Sequence, residues 1–296
     1  MKELKHFVTG GIAHGLAMLE GSLATASRAQ VPIGIVSDYH KPFGLQVASK
    51  IFSLSSAYLG QHATWIRDEF EEGSLQTNRG PRGDVRYSWK TPEQNIGLSK
   101  SPSRFSRLSP DDVFWTVGRP LPRPRRFKLL FSALDWSPEV SEGVVSLIQE
   151  VTNEPPKYGV HVRATDRQSD LLRITHAIRS AISRNGTGRI FVSSDSPEAA
   201  AFVTKEFSSM EVLSLPKPTS KSGRNLHYGV GAKHAWPQFV SAVADIFVLS
   251  QTSFFVPSIG SGSGWTSLIR VIRAKHDSLE LYSSIENELQ WCVRSS

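Results

Sequence analysis

Tyr158-Gly-Val-His-Val-Arg-Ala-Thr-Asp-Arg167 is the stretch that decides the fold of this chain. Its first part, Gly159 to Val162, is rich in β-forming residues and predicts a short strand. Its second part places Arg163, Asp166 and Arg167 in the loop after that strand. Ligands of α/β proteins bind at the carboxyl ends of parallel strands, and a guanidinium there can hold a phosphate through two parallel hydrogen bonds. The stretch therefore indicates a site for an anionic ligand such as a nucleotide.

Strands and helices alternate on both sides of this stretch. Apolar residues at helical spacing predict helices over Val140–Val151, Leu171–Ile182, Trp236–Leu249 and Thr266–Arg273. A further helix is predicted to begin at Ser196-Pro197. Short β-rich runs predict strands at Ile190–Val192, Val212-Leu213 and Phe254–Val256. Ser196 is typical of an N-cap, and Asn185-Gly186 of a helix C-terminus. The alternation predicts a doubly wound α/β domain.

The first residues predict a similar unit. Phe7–Thr9 is typical of a short strand, Ile12–Ala26 carries one apolar stripe at helical spacing, and Val31–Val36 is typical of a second strand. This order indicates a parallel sheet. The Gly-Gly-x-x-x-Gly pattern at 10–15 does not have the spacing of a dinucleotide fingerprint. Asp38 does follow the second strand, as that fingerprint would require, so a dehydrogenase is only a weak alternative.

The stretch from Gly73 to Lys128 has a different character, because it is basic, rich in proline and serine, and poor in apolar runs. The simpler interpretation is a long surface excursion. The alternative is a loop that binds a carbohydrate ligand, in which Tyr87, Trp89 and Trp115 stack on sugar rings. Prolines at 120, 122 and 124 then predict a stiff connection, and we expect a domain boundary near Pro138, between residues 1–138 and 139–296.

Composition limits the function without deciding it. The chain has 296 residues, a formal charge of +7 and a pI near 9.6, and no nucleic-acid-binding module accompanies the positive charge. This excess fits either solvated surface or attraction for a phosphorylated ligand. Cys292 is the single cysteine, so no disulfide can form within the chain. The N-terminus lacks the apolar core of a signal peptide or membrane anchor, which predicts a cytoplasmic protein.

The opening stretch resembles the His-x-Arg-x-x-Asp region of the α1,6-fucosyltransferases and of their bacterial relatives, the chitooligosaccharide (nodulation-factor) fucosyltransferases. Further blocks are similar to that family and follow in its order. They are Arg189–Ser196, a strand that ends in Ser-Asp; Leu226-His-Tyr228; Asp245–Phe255, against Asp-x-x-x-Leu-Ser-Gln-x-Asp-Phe; and Ser261–Trp265, where the family has a Ser-Ser pair that opens a helix. Several ordered blocks carry more weight than any one short motif.

The resemblance implies a fold and a reaction. The implied fold is α/β of GT-B type, with two Rossmann-like lobes whose parallel sheets face a cleft. Residues 1–138 would form the acceptor-side lobe and residues 139–296 the nucleotide-sugar-binding lobe. The implied reaction moves L-fucose from GDP-fucose, with inversion, to a hydroxyl of a glycan or lipo-oligosaccharide, an α1,6 linkage to GlcNAc being one option. No metal or other cofactor is implied, and no nucleic acid or membrane segment takes part.

The same resemblance implies roles for individual residues. Arg163 would hold the diphosphate, and the amides after Gly262 would form an anion site at a helix entry. The alternatives from the residues alone are a salt bridge of Arg163 to Asp166, an ordinary loop at 261–263, a core histidine at His161 and a capping aspartate at Asp195. The implied donor-binding set is His161, Arg163, Arg167, Asp195, His227, Ser261, Gly262 and Ser263, and Gly11 and His14 would line the cleft.

The chain departs from the family at two positions. Ala164 follows Arg163, where the α1,6 enzymes of higher organisms have a second arginine, so Arg167 is a candidate for the missing phosphate contact. Their proposed catalytic glutamate would align near Leu171, which cannot move a proton. Asp170 and Asp166 are the candidates for the general base, and Arg163 is the third residue of the predicted catalytic set. Asp245, in an apolar helix, is interpreted as a structural residue that orients a neighbour.

Two other functions therefore stay open beside fucosyl transfer. The matching blocks concern the nucleotide more than the sugar, so another GDP-sugar transferase is one alternative. A non-catalytic nucleotide- or glycan-binding protein is the other, favoured by Ala164 and by the absent glutamate. Hydrolases are disfavoured, because the chain has no Gly-x-Ser-x-Gly elbow and its histidines lack metal-ligand spacing.

Overall fold

A computed structural model describes residues 3–7, 12–36, 52–54, 63–66, 75–79, 85–90, 95–97, 113–116, 134–164, 169–217, 232–260 and 264–273. The chain divides into two compact units, Met1–Ser137 and Pro138–Ser296. The strands of the first unit are β1 Glu3–Phe7, β2 Ile33–Val36, β3 Phe52–Leu54, β4 Ala63–Ile66, β5 Leu75–Arg79, β6 Val85–Lys90, β7 Asn95–Gly97, β8 Val113–Thr116 and β9 Leu134–Trp136, and its described helix is α1 Ile12–Ala29. The elements of the second unit are α2 Pro138–Gln149, β10 Tyr158–Val162, α3 Leu171–Asn185, β11 Ile190–Ser194, α4 Pro197–Glu206, β12 Val212–Leu213, α5 Ala232–Gln251, β13 Phe254–Val256 and α6 Gly264–Arg273.

The first unit contains a parallel sheet of four strands in the order β4-β2-β1-β8. Helix α1 connects β1 to β2, as a parallel pair requires. The helix buries Leu16, Leu19, Leu23 and Ala26, which recur at helical spacing. It ends where Gln30 adopts a left-handed backbone, with φ of 53°. The predicted strand-helix-strand unit is therefore present.

The first strand lies earlier in the chain than its sequence predicted. The strand β1 spans Glu3–Phe7 and pairs with both β2 and β8, so it begins before the predicted start at Phe7, while Val8 and Thr9 lie outside the described residues. Leu4 and His6 are its buried side chains. The His6 ring is compatible with burial since its Nδ1 lies 2.8 Å from the Ser22 hydroxyl, and burial lowers the pKa of His6 to about 3. The segment Glu3–Phe7 is too polar to be recognised as a buried strand from its sequence, because the sequence does not show that His6 has a buried partner in Ser22.

The basic stretch from Gly73 to Lys128 contains strands that its interpretation as a long surface excursion did not predict. Strands β5, β6 and β7 form an antiparallel sheet, and β8 joins the parallel sheet beside β1. Tyr87 and Trp89 lie on β6 and Trp115 on β8. The alternation in Val-Arg-Tyr-Ser-Trp-Lys has the period of a strand, and it outweighs the charge and proline content of the surrounding sequence. Stacking of these aromatic residues on sugar stays a prediction.

The second unit contains a parallel sheet in the order β12-β11-β10-β13, which confirms the predicted alternation. Strands β10 and β11 are buried along their whole length, as expected for inner strands covered by helices. Helices α3 and α4 pack on one another and contribute Ile174, Ile178 and Val203 to the core around Tyr158 and Val192. Helix α5 packs against α2, α6 and the inner strands.

Local signals fix the ends of two helices, at Ser196 and Gly186 as predicted and at Asp170 beyond the prediction. Asp170 is the N-cap of α3, and its carboxylate accepts a hydrogen bond from the Arg173 N–H at 3.0 Å. Ser196 caps α4 and is followed by proline in the first turn. Gly186 ends α3 with φ of 80° and ψ of 174°, a backbone conformation that glycine alone adopts readily. These caps place the loops after β10 and β11 at one edge of the sheet.

Candidate functional site

Arg163 and Asp195 lie side by side at the carboxyl edge of the second sheet. They follow the last residues of β10 and β11, Val162 and Ser194, which are partners across the two parallel strands. The Ala164 N–H donates a hydrogen bond of 2.7 Å to Oδ1 of Asp195. The sequence predicted both residues for one site, and the structure brings them together. The alternative role of Asp195 as a helix cap is not what the structure shows, because Ser196 caps that helix.

The backbone of Arg163 is held by two serines. Its N–H lies 3.0 Å from the hydroxyls of both Ser169 and Ser258, which are 2.9 Å from one another. The Ser169 hydroxyl donates to the Arg163 carbonyl at 2.6 Å, and the Ser169 N–H donates to the same carbonyl at 2.8 Å. These contacts close the loop between β10 and α3 against the segment after β13. Arg163 is therefore presented from a fixed backbone, a condition for precise recognition. Sequence reasoning missed Ser169 and Ser258.

A cavity lies at this edge of the sheet, between strands β10 and β11 and helices α5 and α6. It brings together His161, Arg163 and Asp195, which the sequence analysis placed in one donor-binding set, and Asp245, which it did not. Its described lining is His161, Arg163, Ser193, Ser194, Asp195, Lys217, Ser241, Ala242, Asp245, Ile246, Leu249, Trp265 and Ile269. An apolar wall with a few convergent polar groups is typical of a small-molecule site. Lys217 and Trp265 were not assigned from sequence.

His161 is a neutral histidine in the wall of this cavity. It is buried, and its Nδ1 lies 3.4 Å from the Thr266 hydroxyl. Burial lowers the pKa of His161 to about 4, while the Asp195 charge acts in the opposite direction and the charges of Lys217 and Arg163 act with burial. At neutral pH the ring is therefore uncharged and offers one hydrogen-bond donor and one acceptor. Both interpretations of His161 hold in part, since it is buried and also reaches the site.

Asp245 forms the buried polar centre of the cavity. Its Oδ2 accepts a hydrogen bond of 2.7 Å from the Ser193 hydroxyl and contacts the Lys217 ammonium. Its Oδ1 is buried and has no hydrogen-bond partner within the part of the chain that the structure describes. Burial raises the pKa of Asp245, and Lys217 and then Ser193 oppose that rise. The sequence-based interpretation as a structural residue that orients a neighbour is therefore incomplete, because Asp245 also lines the cavity and its Oδ1 has no hydrogen-bond partner among the described residues.

The remaining predicted residues fall into two groups. Asp170 is exposed and caps α3, and the described lining of the cavity does not include it. His14 is exposed on α1 in the first unit. Residues that lie outside the described part of the chain are Gly11, Asp166, Arg167, His227, Ser261, Gly262 and Ser263. Helix α6 begins at Gly264, directly after the last of these, and its second residue, Trp265, lines the cavity.

Neither a metal centre nor a membrane span emerges from the described residues. Within them, no three histidine, cysteine, aspartate or glutamate side chains come close enough to hold a metal ion together. The helices in those residues are all too short or too polar to cross a bilayer.

This chain is similar to proteins of known structure in its fold. No protein-family model and no characterised protein matches the sequence. Solved structures match over nearly the whole chain. Among them are NodZ α-1,6-fucosyltransferase soaked with GDP-fucose, with a TM-score of 0.57, 16% identity and 91% of each chain covered, and the POFUT1 apo-form, with a TM-score of 0.52, 11% identity and 92% of this chain and 94% of that one covered. Fucosyltransferase NodZ from Bradyrhizobium gives a TM-score of 0.57 at 16% identity, covering 90% of this chain and 91% of that one. The chain has the fold of these fucosyltransferases. This confirms the predicted fold class, α/β of GT-B type with a parallel sheet in each unit.

Proposed function

We propose that this chain is a glycosyltransferase that uses a GDP-sugar donor, GDP-fucose first among them. The observation that carries the proposal is the cavity at the carboxyl edge of the second sheet, where Arg163, neutral His161 and the buried Asp245 converge. Support comes from the shared fold, since NodZ and POFUT1 structures have been solved with GDP-fucose or GDP. The donor would lie at the edge where ligands of parallel α/β sheets bind.

The polar groups of the cavity suit different parts of the GDP-sugar donor, according to their charge and hydrogen-bonding capacity. The Arg163 guanidinium suits the diphosphate, because its fork of N–H donors matches phosphate oxygens. Oδ1 of Asp195 already accepts the Ala164 N–H, so that carboxylate holds the backbone beside Arg163. Oδ1 of Asp245 has no such partner among the described residues, which makes Asp245 a better candidate than Asp195 for the ring N–H groups of guanine. Amides at the entry of α6 would supply further diphosphate contacts.

The reaction needs a hydroxyl acceptor and no metal in this proposal. The acceptor oxygen attacks the anomeric carbon of fucose as the bond from that carbon to the diphosphate breaks, which inverts the configuration. The acceptor proton passes to a base, with Asp166 and Asp170 as candidates. Asp170 would have to leave its cap contact with the Arg173 N–H to serve. Arg163 stabilises the negative charge that develops on the departing GDP. The acceptor would be a glycan or lipo-oligosaccharide.

Release of GDP from GDP-fucose tests the proposal. We expect turnover by the wild-type chain, and loss of roughly 10²-fold to 10³-fold in kcat for Arg163→Ala, the usual effect of removing one donor to developing charge. Arg184→Ala is the matched control, because this exposed arginine near the end of α3 makes a bond of 3.1 Å to its own helix at Ser180. GDP-mannose in parallel distinguishes fucose from another GDP-linked sugar. Equal activity of Arg163→Ala and wild type would contradict the proposal.

A non-catalytic binding protein is the second candidate. It is favoured by Leu171, which opens α3 where the resembled family has its proposed catalytic glutamate, and by Ala164 after Arg163. Binding of GDP without release of GDP from GDP-fucose, over a panel of chitooligosaccharide and N-glycan acceptors, would support this candidate. Binding of neither GDP nor GDP-fucose would contradict both.

A further inference from the structure

Lys217 and Asp245 form an ion pair in the wall of the cavity. Lys217 follows the edge strand β12, and its Nζ contacts Oδ2 of Asp245 on α5. The Ser193 hydroxyl on β11 donates to the same oxygen at 2.7 Å. The side chain of Asp245 is 7% exposed and that of Lys217 is 22% exposed. Together with Ser193, the pair therefore connects strand β11, helix α5 and the segment after β12 in the wall of the proposed donor site.

The arrangement leaves a donor and an acceptor side by side. All contacts of Asp245 with Lys217 and Ser193 use Oδ2, while Oδ1 is buried without a hydrogen-bond partner in the described part of the chain. A buried polar atom without a partner is costly, so a ligand that donates to it gains binding free energy. An ammonium has three N–H groups, so its contact with Asp245 does not use all of them.

Because Asp245 is buried, its carboxylate depends on the Lys217 charge to favour the ionised, hydrogen-bond-accepting form. A carboxylate removed from water tends to take up a proton, and burial raises the pKa of Asp245 accordingly. The Lys217 charge acts against that rise, and its direct contact with Oδ2 favours the ionised form of the carboxylate. The other charged or titratable groups in the cavity wall are His161, Arg163 and Asp195. Lys217 contacts Asp245 directly.

We propose that Lys217 is a specificity-determining residue, which makes this wall of the cavity select a guanine-type base over an adenine-type base. The proposal rests on the proposed function, since it concerns the donor of the same site. Guanine presents a carbonyl acceptor next to a ring N–H donor. Adenine presents an amino donor next to a ring nitrogen acceptor. When the ribose and diphosphate hold the base in one orientation, with its first group at the ammonium and its second at the carboxylate, this wall complements guanine and opposes adenine, because an ionised carboxylate only accepts and an ammonium only donates.

Two simpler roles of Lys217 make different predictions. As a cation for the diphosphate, it would contribute equally to the binding of GDP and ADP, which carry the same diphosphate. As a structural partner of Asp245 alone, it would affect stability and leave the preference between the two nucleotides unchanged. Only selection of the base predicts that substitution of Lys217 changes the ratio of the GDP and ADP affinities.

Calorimetric titration of GDP, IDP and ADP into the full chain tests the proposal. IDP keeps the carbonyl and the ring N–H of guanine and lacks only its amino group. For wild type we expect GDP and IDP to bind more tightly than ADP. For Lys217→Met we expect both to weaken roughly tenfold to hundredfold, the worth of a hydrogen bond to a charged group, with ADP changed by no more than about twofold. Lys217→Arg should keep the preference for GDP, because it keeps the charge and the donors.

Lys205→Met is the matched control, since this exposed lysine in the last turn of α4 lies outside the described cavity lining. It should bind all three nucleotides as wild type does. If Lys217→Met does not fold, the double variant Lys217→Met/Asp245→Asn replaces it, because that variant leaves no unpaired buried charge. An amide can rotate to present either its oxygen or its nitrogen, so the double variant should bind GDP and ADP with similar affinity.

The outcomes separate the two proposals. Equal weakening of GDP and ADP by Lys217→Met, or an unchanged ratio in the double variant, would overturn the role of Lys217 while leaving the donor site intact. Failure of wild type to bind GDP or IDP would overturn the proposed function and this inference together. A ratio that falls in Lys217→Met and returns in Lys217→Arg supports the inference.

Discussion

Gly159 occupies a position on β10 where a single methyl group would collide with helix α5 and the residue after it. A Cβ placed there would lie 2.6 Å from Oγ1 and 2.9 Å from Cγ2 of Thr252, and 2.9 Å from Cδ2 of Leu249. Non-bonded carbon atoms prefer about 3.5 to 4.0 Å, so all three contacts are too short. Strand β10 also carries His161 and ends next to Arg163. Substitution at Gly159 therefore tests how tightly the strand that bears the site is packed.

The expected cost of Gly159→Ala follows from these contacts. Overpacking of a core costs about 1 to 3 kcal/mol, and three simultaneous short contacts place this case near the upper end. Alanine in a strand recovers about 0.5 to 1 kcal/mol of the entropy that glycine loses on folding. We therefore expect a net loss of about 2 kcal/mol in the free energy of unfolding. Urea denaturation followed by circular dichroism measures it.

A double-mutant cycle identifies the cause. Thr252→Ala removes both atoms of Thr252 that the new Cβ would meet and leaves only the flexible end of Leu249. The two substitutions together should therefore cost about 1.5 kcal/mol less than the sum of their separate costs. Ser250→Ala is the matched control, because its hydroxyl donates to the Phe247 carbonyl at 2.7 Å, as the Thr252 hydroxyl donates to the Leu249 carbonyl at 3.0 Å. Additivity within about 0.5 kcal/mol for the Thr252 pair would refute the collision.

Two further predictions concern protonation and backbone conformation. The folded-state pKa of His161 is lowered from 6.5 to about 4, so its neutral form contributes stability that is complete above pH 6.5 and is lost as the pH falls toward 4. The difference in unfolding free energy between wild type and His161→Gln should therefore shrink by about 1.4 kcal/mol per pH unit over that interval, as measured by urea denaturation, and a difference independent of pH would contradict the burial of a neutral ring. Gly186→Ala should cost about 1 to 3 kcal/mol because φ is 80° there, whereas Thr187→Ala at the exposed neighbour should cost little; equal midpoints for the two variants in urea would contradict the strain.

The helices and strands of the second unit were readable from sequence because their signals are local. Periodic apolar residues gave α3, and Ser196-Pro197 gave the start of α4. The first unit was less accessible. His6 belongs to a buried strand only because Ser22, sixteen residues away, meets its ring. The strands between Gly73 and Lys128 carry an alternating pattern that their charges obscure, so composition and periodicity gave conflicting predictions there.

The order of residues along the chain was enough to place Arg163 and Asp195 each directly after a strand, since each follows a short β-rich run, and the structure shows that the two strands are neighbours. It could not show that Asp245, Ser193 and Lys217 meet, because they lie on a helix, an inner strand and the end of an edge strand. Nor could it show which carboxylate oxygen keeps an unused lone pair, since that depends on burial and on every neighbouring donor. Local propensity determines the elements, whereas the hydrogen-bonding capacity left in a cavity is a property of the packed structure alone.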